Sequence, residues 1–253
     1  MRKWLALVKK EFRQINILIV VSALIIAAWE IFLLTRGENW PPGVTFGLGF
    51  IPLFFLPVIM LYLGYSSYRK EWENDTIYFL KTLPRKGYEI NSAKFISAFL
   101  YFALISMLTL YIHLLFHQEF MSWMIDQMPA VLNAEIIVQF LRVNIILYLT
   151  AGIQLYLITQ LAYLTASFFA RFRLLISIVV FVLAHYLLYR VGGMIALILN
   201  FLPDFPITIM MESPAGVEAA TVYLGSGPIA AVIILLSGIF WFNSRLIGRE
   251  VDI

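Results

Sequence analysis

Six long runs of apolar residues, separated by shorter polar stretches, dominate the pattern along this chain of 253 residues. Most of these runs approach the roughly 20 residues that a helix needs to cross the hydrocarbon core of a bilayer. The predicted spans are residues 17–34, 50–68, 95–116, 143–170, 174–189 and 228–242. The pattern therefore predicts an all-α integral membrane protein with six transmembrane helices, folded as a single transmembrane domain over residues 1–253.

The first 15 residues mix basic and apolar positions and precede the first span. Trp4, Val8, Phe12 and Ile15 recur at three- and four-residue steps, which places them on one side of a helix. Lysines and arginine occupy the other side, a pattern typical of an amphipathic helix that lies on an anionic membrane surface. We therefore predict an N-terminal interfacial helix over residues 1–15, the alternative being the basic start of the first span.

The outer segment 191–226, before the last span, holds an apolar run that is too short to cross a bilayer. This run, residues 194–202, follows Gly192 and Gly193 and ends at Pro203. Two interpretations stay open: a re-entrant or interfacial half-helix, or a continuation of the fifth span past a glycine kink. We take the first as the prediction.

The composition is typical of a membrane protein, and the placement of the basic residues indicates which side of the membrane the termini face. Hydrophobic residues make up 62% of the chain and charged residues 13%, with a mean hydropathy of +0.88, whereas a soluble domain is about half apolar and about a quarter charged. If both termini are cytosolic, 15 of the 18 lysines and arginines lie in cytosolic segments. Only Arg36, Arg142 and Arg190 then lie outside or near the outer surface. Since basic residues flanking short loops stay in the cytosol, we predict a cell-membrane protein with both termini cytosolic.

A polar segment, residues 69–94, joins the second and third spans. Residues 74–75 can cap a short helix that Pro84 then ends. Asn91 or Ser92 can cap the helix of the third span. Because a segment that only joined two spans could be far shorter, we predict a short helix held at the cytosolic face of the membrane.

Twelve residues of this segment form an informative pattern. It consists of Glu71, Glu73, Asp75, Thr76, Leu80, Thr82, Leu83, Pro84, Arg85, Ile90, Ala93 and Lys94. This arrangement resembles the cytosolic loop of exporter-type ABC transporter permeases, and the order of interfacial helix, six spans and irregular outer segment is similar too. The resemblance implies a coupling helix that docks on a separate ATP-binding subunit. The docking surface that it implies comprises Glu71, Glu73, Thr76, Leu80, Leu83 and Pro84. The alternative is a solvated basic loop that only sets the topology.

The chain lacks the P-loop through which many proteins hydrolyse ATP. A P-loop requires a glycine followed by lysine, and no glycine here is followed by lysine. We therefore expect a transport subunit that is not an enzyme and binds no cofactor, with ATP and Mg on a partner subunit. The resemblance implies cytosolic ABC ATPase subunits and a second, identical or homologous, permease as partners within the lipid bilayer. We expect no nucleic acid partner.

Intramembrane hydrolases are the second class of function that the sequence admits. Phe181 and His185 match a Phe-x-x-x-His element of glutamate-dependent intramembrane proteases, but the adjacent glutamates that these enzymes need are missing. His113 and His117 have a spacing that can hold a metal, yet Leu114 stands where a zinc protease has glutamate. We predict polar anchoring for this pair and no metal site. A secondary transporter or channel is the third class, which the lack of an internal repeat disfavours.

Polar residues within the predicted spans are candidates for a substrate pathway, because such groups are costly in lipid and often functional. They are Glu30, Asn144, Gln154, Gln160 and His185. Glu30 falls near the outer end of the first span, where we expect it to be partly hydrated and to pair with Arg190 or Arg142, or to face a second subunit. Amide side chains such as those of Asn144, Gln154 and Gln160 more often join helices by hydrogen bonds than bind substrate.

Overall fold

The computed structural model describes residues 2–37, 39–73, 86–127, 134–169, 171–213 and 216–251. Over these ranges the helices are α1 (Arg2–Arg36), α2 (Pro42–Gly49), α3 (Ile51–Glu73), α4 (Gly87–Phe116), α5 (Gln118–Gln127), α6 (Ala134–Ser167), α7 (Arg173–Ile198) and α8 (Ser226–Val251). The strands are β1 (Phe205–Ser213) and β2 (Gly216–Leu224). Within these described ranges six helical segments are long and apolar enough to cross a membrane, which confirms the six predicted spans. They are α1, α2 together with α3, α4, α6, α7 and α8.

The spanning helices form one bundle around a buried core. α1 packs along α4, α3 packs along α6, and α8 contacts α4, α6 and α7. The main cluster of this core contains the fully buried side chains of Met60, Tyr101, Phe102, Ile105, Tyr156 and Ile158. Large apolar side chains also cover the outside, where Leu197 is 79% exposed and Phe54 is 77% exposed. A bilayer is the solvent that suits such a surface. The end of the bundle that carries β1 and β2 is called the hairpin end, and the end where α3 finishes and α4 starts is called the basic end.

The predicted interfacial helix over residues 1–15 is wrong as a separate element, because α1 runs without a break from Arg2 to Arg36. This stretch contains neither proline nor glycine, so nothing in it interrupts the helical hydrogen bonds. Its first turns also rest on α4. The Trp4 indole N–H donates to Ser92 Oγ at 3.0 Å, and the Ser97 hydroxyl donates to the Val8 carbonyl at 3.1 Å.

Pro57 lies inside α3 without ending it. Proline has no N–H, so the carbonyl of Leu53, four residues earlier, loses its helical donor. The Tyr148 hydroxyl of α6 donates to that carbonyl at 2.9 Å. The defect that proline introduces into α3 is thereby used to join α3 to α6.

α4 begins earlier than the predicted cap residues would place it. Its first residue is Gly87, with Lys86 as the N-cap, so the prediction of Asn91 or Ser92 as the cap is wrong. Asn91 is instead buried and donates to Ser244 Oγ of α8 at 3.0 Å. A Cβ at Gly87 would lie 2.4 Å from the Ser244 carbonyl oxygen, so only glycine allows the start of α4 to approach α8 this closely.

The outer segment 191–226 differs from the predicted re-entrant or interfacial half-helix. α7 continues through Gly192 and Gly193 to Ile198, so the alternative, an extended fifth span, is the correct one. β1 and β2 then pair antiparallel, from Phe205 with Leu224 to Ser213 with Gly216. Isoleucine and threonine occur in β1 and valine and threonine in β2, and such β-branched residues favour extended backbone. A β-hairpin therefore lies between α7 and α8, and the other regular elements of the described residues are helices.

Candidate functional site

A buried network of charges joins three helices at the basic end. The Lys94 ammonium of α4 donates to Glu11 Oε2 of α1 at 3.0 Å and to Glu71 Oε1 of α3 at 3.1 Å. The side chains of Lys94, Glu11 and Glu71 are 2%, 11% and 5% exposed. Lys10 lies 3.6 Å from Glu71, so the network holds two positive charges against the two carboxylates of Glu11 and Glu71. Since a buried charge is tolerated only when it is paired, the network fixes α1, α3 and α4 relative to one another.

Glu71 and Glu73, at the end of α3, differ in their surroundings. Glu71 is buried in the network with Lys94, so it can shape a docking surface but does not lie on one. Glu73 is exposed, and the Arg69 guanidinium donates to it at 2.6 Å. The other predicted docking residues, Thr76, Leu80, Leu83 and Pro84, and the predicted coupling helix lie outside the described residues.

A cavity of about 320 Å³ opens beside the charge network, between α1 and α3. Glu11 and Lys94 line one part of it, and Leu18, Val21 and Leu63 line another. A charged end and an apolar wall in one cavity are the features that an amphipathic molecule requires.

The predicted pathway residues mostly join helices. Gln160 Oε1 accepts a hydrogen bond from Asn243 Nδ2 of α8 at 3.0 Å, and both side chains are fully buried. Gln154 Nε2 donates to the Tyr189 hydroxyl of α7 at 3.4 Å, at an exposed position. Asn144 is exposed on α6. These contacts agree with the expectation that the amide side chains hold helices together.

His185, the candidate histidine of the protease interpretation, lies half-buried on α7. Its Nδ1 is 2.9 Å from the carbonyl oxygen of Phe181, one turn earlier on the same helix. Its ring packs against the Phe181 ring with the centroids 4.3 Å apart. In the described part of the chain no carboxylate forms an ion pair with His185.

Glu30 does not lie where it was predicted. It is fully buried, and its contacts are with histidines, so partial hydration and pairing with Arg190 or Arg142 are wrong. Glu30 Oε1 of α1 is 3.2 Å from His113 Nδ1 of α4, and Glu30 Oε2 is 3.4 Å from His117 Nε2 just after α4. The three ligand atoms lie within 4.8 Å of one another. Among the described residues this is the one group of three such side chains that could hold a metal ion.

Aromatic rings and one glycine enclose this cluster of Glu30, His113 and His117. The rings of Phe46 and Phe50 lie 4.9 and 4.5 Å from the His113 ring. A Cβ at Gly49 would lie 2.1 Å from His113 Nδ1 and 3.3 Å from Glu30 Oε1. Gly49, at the end of α2, therefore lets the histidine reach the carboxylate.

Several polar atoms of the cluster lack a hydrogen bond although they are buried. Within the part of the chain that the structure describes, Glu30 Oε2, His113 Nε2 and His117 Nε2 have no hydrogen-bond partner. Burial and the neighbouring His113 lower the pKa of His117, against the opposing pull of Glu30.

The sequence contained only part of the signal for this cluster. The four-residue spacing of His113 and His117 was visible, and polar anchoring was predicted from it. Glu30 is 83 residues from His113, and no local pattern connects the two. The same holds for Glu11 and Lys94, also 83 residues apart.

Comparison with known proteins gives one match. A family model described as ABC-2 family transporter protein matches residues 7–170, which is more than half of the chain. The matched region contains the charge network of Glu11, Glu71 and Lys94, as well as Glu30, His113 and His117. No curated protein and no solved structure matches the chain.

Proposed function

Because this chain belongs to the ABC-2 family of transporter proteins, it is a membrane permease subunit, and we propose that it serves an ATP-driven exporter. Permeases of this family generally pair with ABC ATPase subunits. In the proposed complex this chain forms the translocation route, and a separate ATPase drives it. A second permease chain completes the route, and both termini face the cytosol.

The observation that carries the proposal is the charge network at the basic end. Residues 74–85 connect α3 to α4, and Lys94 ties the adjoining ends of both helices to α1 through Glu71 and Glu11. A docked ATPase can move spanning helices only if the docking segment is attached to rigid supports. The network supplies such supports on both sides of the segment, because its three buried partners cannot separate without leaving unpaired charges.

The cavity between α1 and α3 supports a route at the side of the bundle. Its charged end lies at the network, so a displacement of α3 against α1 would change its shape. We propose that an amphipathic cargo enters there.

Co-purification with an ATPase tests the docking assignment. We expect a gene beside this one to encode the partner ABC ATPase. That ATPase is expressed with the tagged permease in membranes, and the amount retained after detergent extraction is measured. Replacing Glu73 and Leu80 together with alanine should weaken the association about tenfold, since a central interface residue is worth at least about 1–2 kcal/mol.

Glu119→Ala is the matched control, because Glu119 is exposed on α5 at the hairpin end. This variant should retain the ATPase at the original level. Normal binding and normal permease-stimulated ATP hydrolysis after residues 74–85 are scrambled would show that the docking assignment is wrong.

A further inference from the structure

Glu30, His113 and His117 have the spacing of a metal-ligand set. Zinc binds nitrogen and oxygen ligands at about 2.0–2.2 Å, which places neighbouring ligand atoms of a tetrahedral site about 3.3 Å apart. The Glu30 oxygens lie 3.2 Å from His113 Nδ1 and 3.4 Å from His117 Nε2. Since all three ligand atoms already lie within 4.8 Å of one another, small side-chain rotations would bring them onto one ion. The fourth position of a tetrahedral site would be left to the second Glu30 oxygen or to a water.

Because these side chains are buried, a bound cation would lower the cost of their unpaired polar atoms and of the carboxylate charge. Glu30 is fully buried, His113 is 1% exposed and His117 is 7% exposed. Buried polar atoms in proteins nearly always have a partner, and a carboxylate within a membrane protein is costly when its charge is not compensated. A divalent cation accepts lone pairs from all three side chains and neutralises the carboxylate at once.

We propose that Glu30, His113 and His117 bind one divalent transition metal ion, best matched by zinc, and that the ion ties α1 to α4 at the hairpin end. Two imidazoles and one carboxylate suit zinc and its neighbours in the first transition row, whereas Mg²⁺ and Ca²⁺ prefer ligand sets made of oxygen alone. This proposal does not depend on the transport function or on the docking segment.

The surroundings indicate a structural tie and not a hydrolytic centre. A catalytic zinc keeps one position open to substrate. Here the rings of Phe46 and Phe50 pack against His113, and the Phe120 ring packs on Phe46 with the centroids 5.0 Å apart. These rings cover the cluster, so the ion would serve to hold α1 and α4 together.

Metal content of the purified full-length chain tests the proposal. The protein carries an affinity tag without histidine, is stripped with a chelator, is loaded with Zn²⁺ and is then dialysed. Mass spectrometry of the metal should find about one zinc per chain. Zn²⁺, but not Mg²⁺, should also raise the melting temperature, because a ligand that binds only the folded state stabilises it.

Ligand variants have a clean control, since the chain contains only three histidines. The double variant His113→Ala with His117→Ala should lose the zinc and the thermal shift, and Glu30→Gln should weaken binding at least tenfold. His185→Ala should keep both, because His185 interacts with its own helix. Less than one-tenth of a zinc per wild-type chain, or unchanged zinc in the double variant, would overturn the proposal.

A further pair of variants decides the matter even if the ligand variants fail to fold. Gly49→Ala removes no ligand but crowds His113, and it should weaken zinc binding at least tenfold. Gly47→Ala, in the same helix with no atom within 4 Å of its added Cβ, should bind zinc as the wild type does. Equal zinc affinity of the two glycine variants, or no zinc-induced thermal shift in the wild type, would contradict the proposed site.

Discussion

Replacing Lys94 with methionine should destabilise the protein severely, because two buried carboxylates then lose their shared partner. Methionine keeps the length and apolar stem of lysine and removes only the charge. Lys94 Nζ lies 3.0 Å from Glu11 Oε2 and 3.1 Å from Glu71 Oε1. After the change Glu71 keeps the contact with Lys10 at 3.6 Å, whereas Glu11 loses the partner that the network supplied.

The size of the effect follows from these distances and from burial. Each contact is worth about 5 kcal/mol in gross Coulomb energy at an effective dielectric constant of about 20. Much of this gain offsets the cost of taking the three charges out of water. Removing one partner leaves that cost without its compensation, so the free energy of unfolding should fall by about 3–5 kcal/mol.

The free energy of unfolding can be measured by titration with a denaturing detergent in mixed micelles, followed by the fluorescence of the six tryptophans. Arg69→Met is the matched control, because the Arg69–Glu73 pair is exposed (49% and 55%) and should cost less than about 1 kcal/mol. Adding Glu11→Gln to Lys94→Met should recover at least about 1 kcal/mol by removing an unpaired charge. An equal loss in the Lys94 and Arg69 variants, or a further loss on adding Glu11→Gln, would refute the reasoning.

Three further predictions concern helix contacts and topology. Gly64→Ala should lower the free energy of unfolding by about 1–3 kcal/mol, because its Cβ would lie 2.5 Å from a backbone carbonyl oxygen of α6. Its control is Gly238→Ala, whose added Cβ has no atom within 4 Å and which should not be destabilising in the same detergent titration. Asn243→Leu should cost about 1–3 kcal/mol by removing the donor to two buried oxygens of α6, and an unchanged unfolding midpoint would contradict this. Since the chain has no cysteine, single variants can be labelled in intact cells with an impermeant thiol reagent. Asn39→Cys should react from outside and Lys9→Cys only after permeabilisation, and the reverse pattern would invert the proposed topology.

The tie between α3 and α6 shows where prediction from sequence stops. Pro57 lies inside the second predicted span, and a proline there removes one helical hydrogen-bond donor. Its consequence depends on Tyr148, whose hydroxyl reaches the carbonyl of Leu53 from another helix. The pairing of a proline with a distant donor has no local signature, because it requires the two helices to be packed first.

The elements of the outer segment could be predicted only in part, for a related reason. The run 194–202 was too short to span a membrane, and this remains true. The glycine pair before it permits either outcome, because glycine adopts helical and non-helical backbone alike. In the structure Gly192 faces α8, where an added Cβ would lie 3.4 Å from Leu235 Cδ1, and the helix runs on to Ile198.

By itself the sequence determined that the chain crosses a membrane with six helices, because the length of an apolar run and the thickness of a bilayer are enough to decide it. It also contained the motif between the second and third spans from which the resemblance to ABC permeases was inferred. Only the tertiary structure decided which polar residues meet. Lys94 pairs with Glu11, and Glu30 with His113, across helices that are 83 residues apart in the chain. In the bundle, a buried charge is stabilised by whatever partner the packing brings within about 3 Å, and sequence spacing along a single helix does not contain that information.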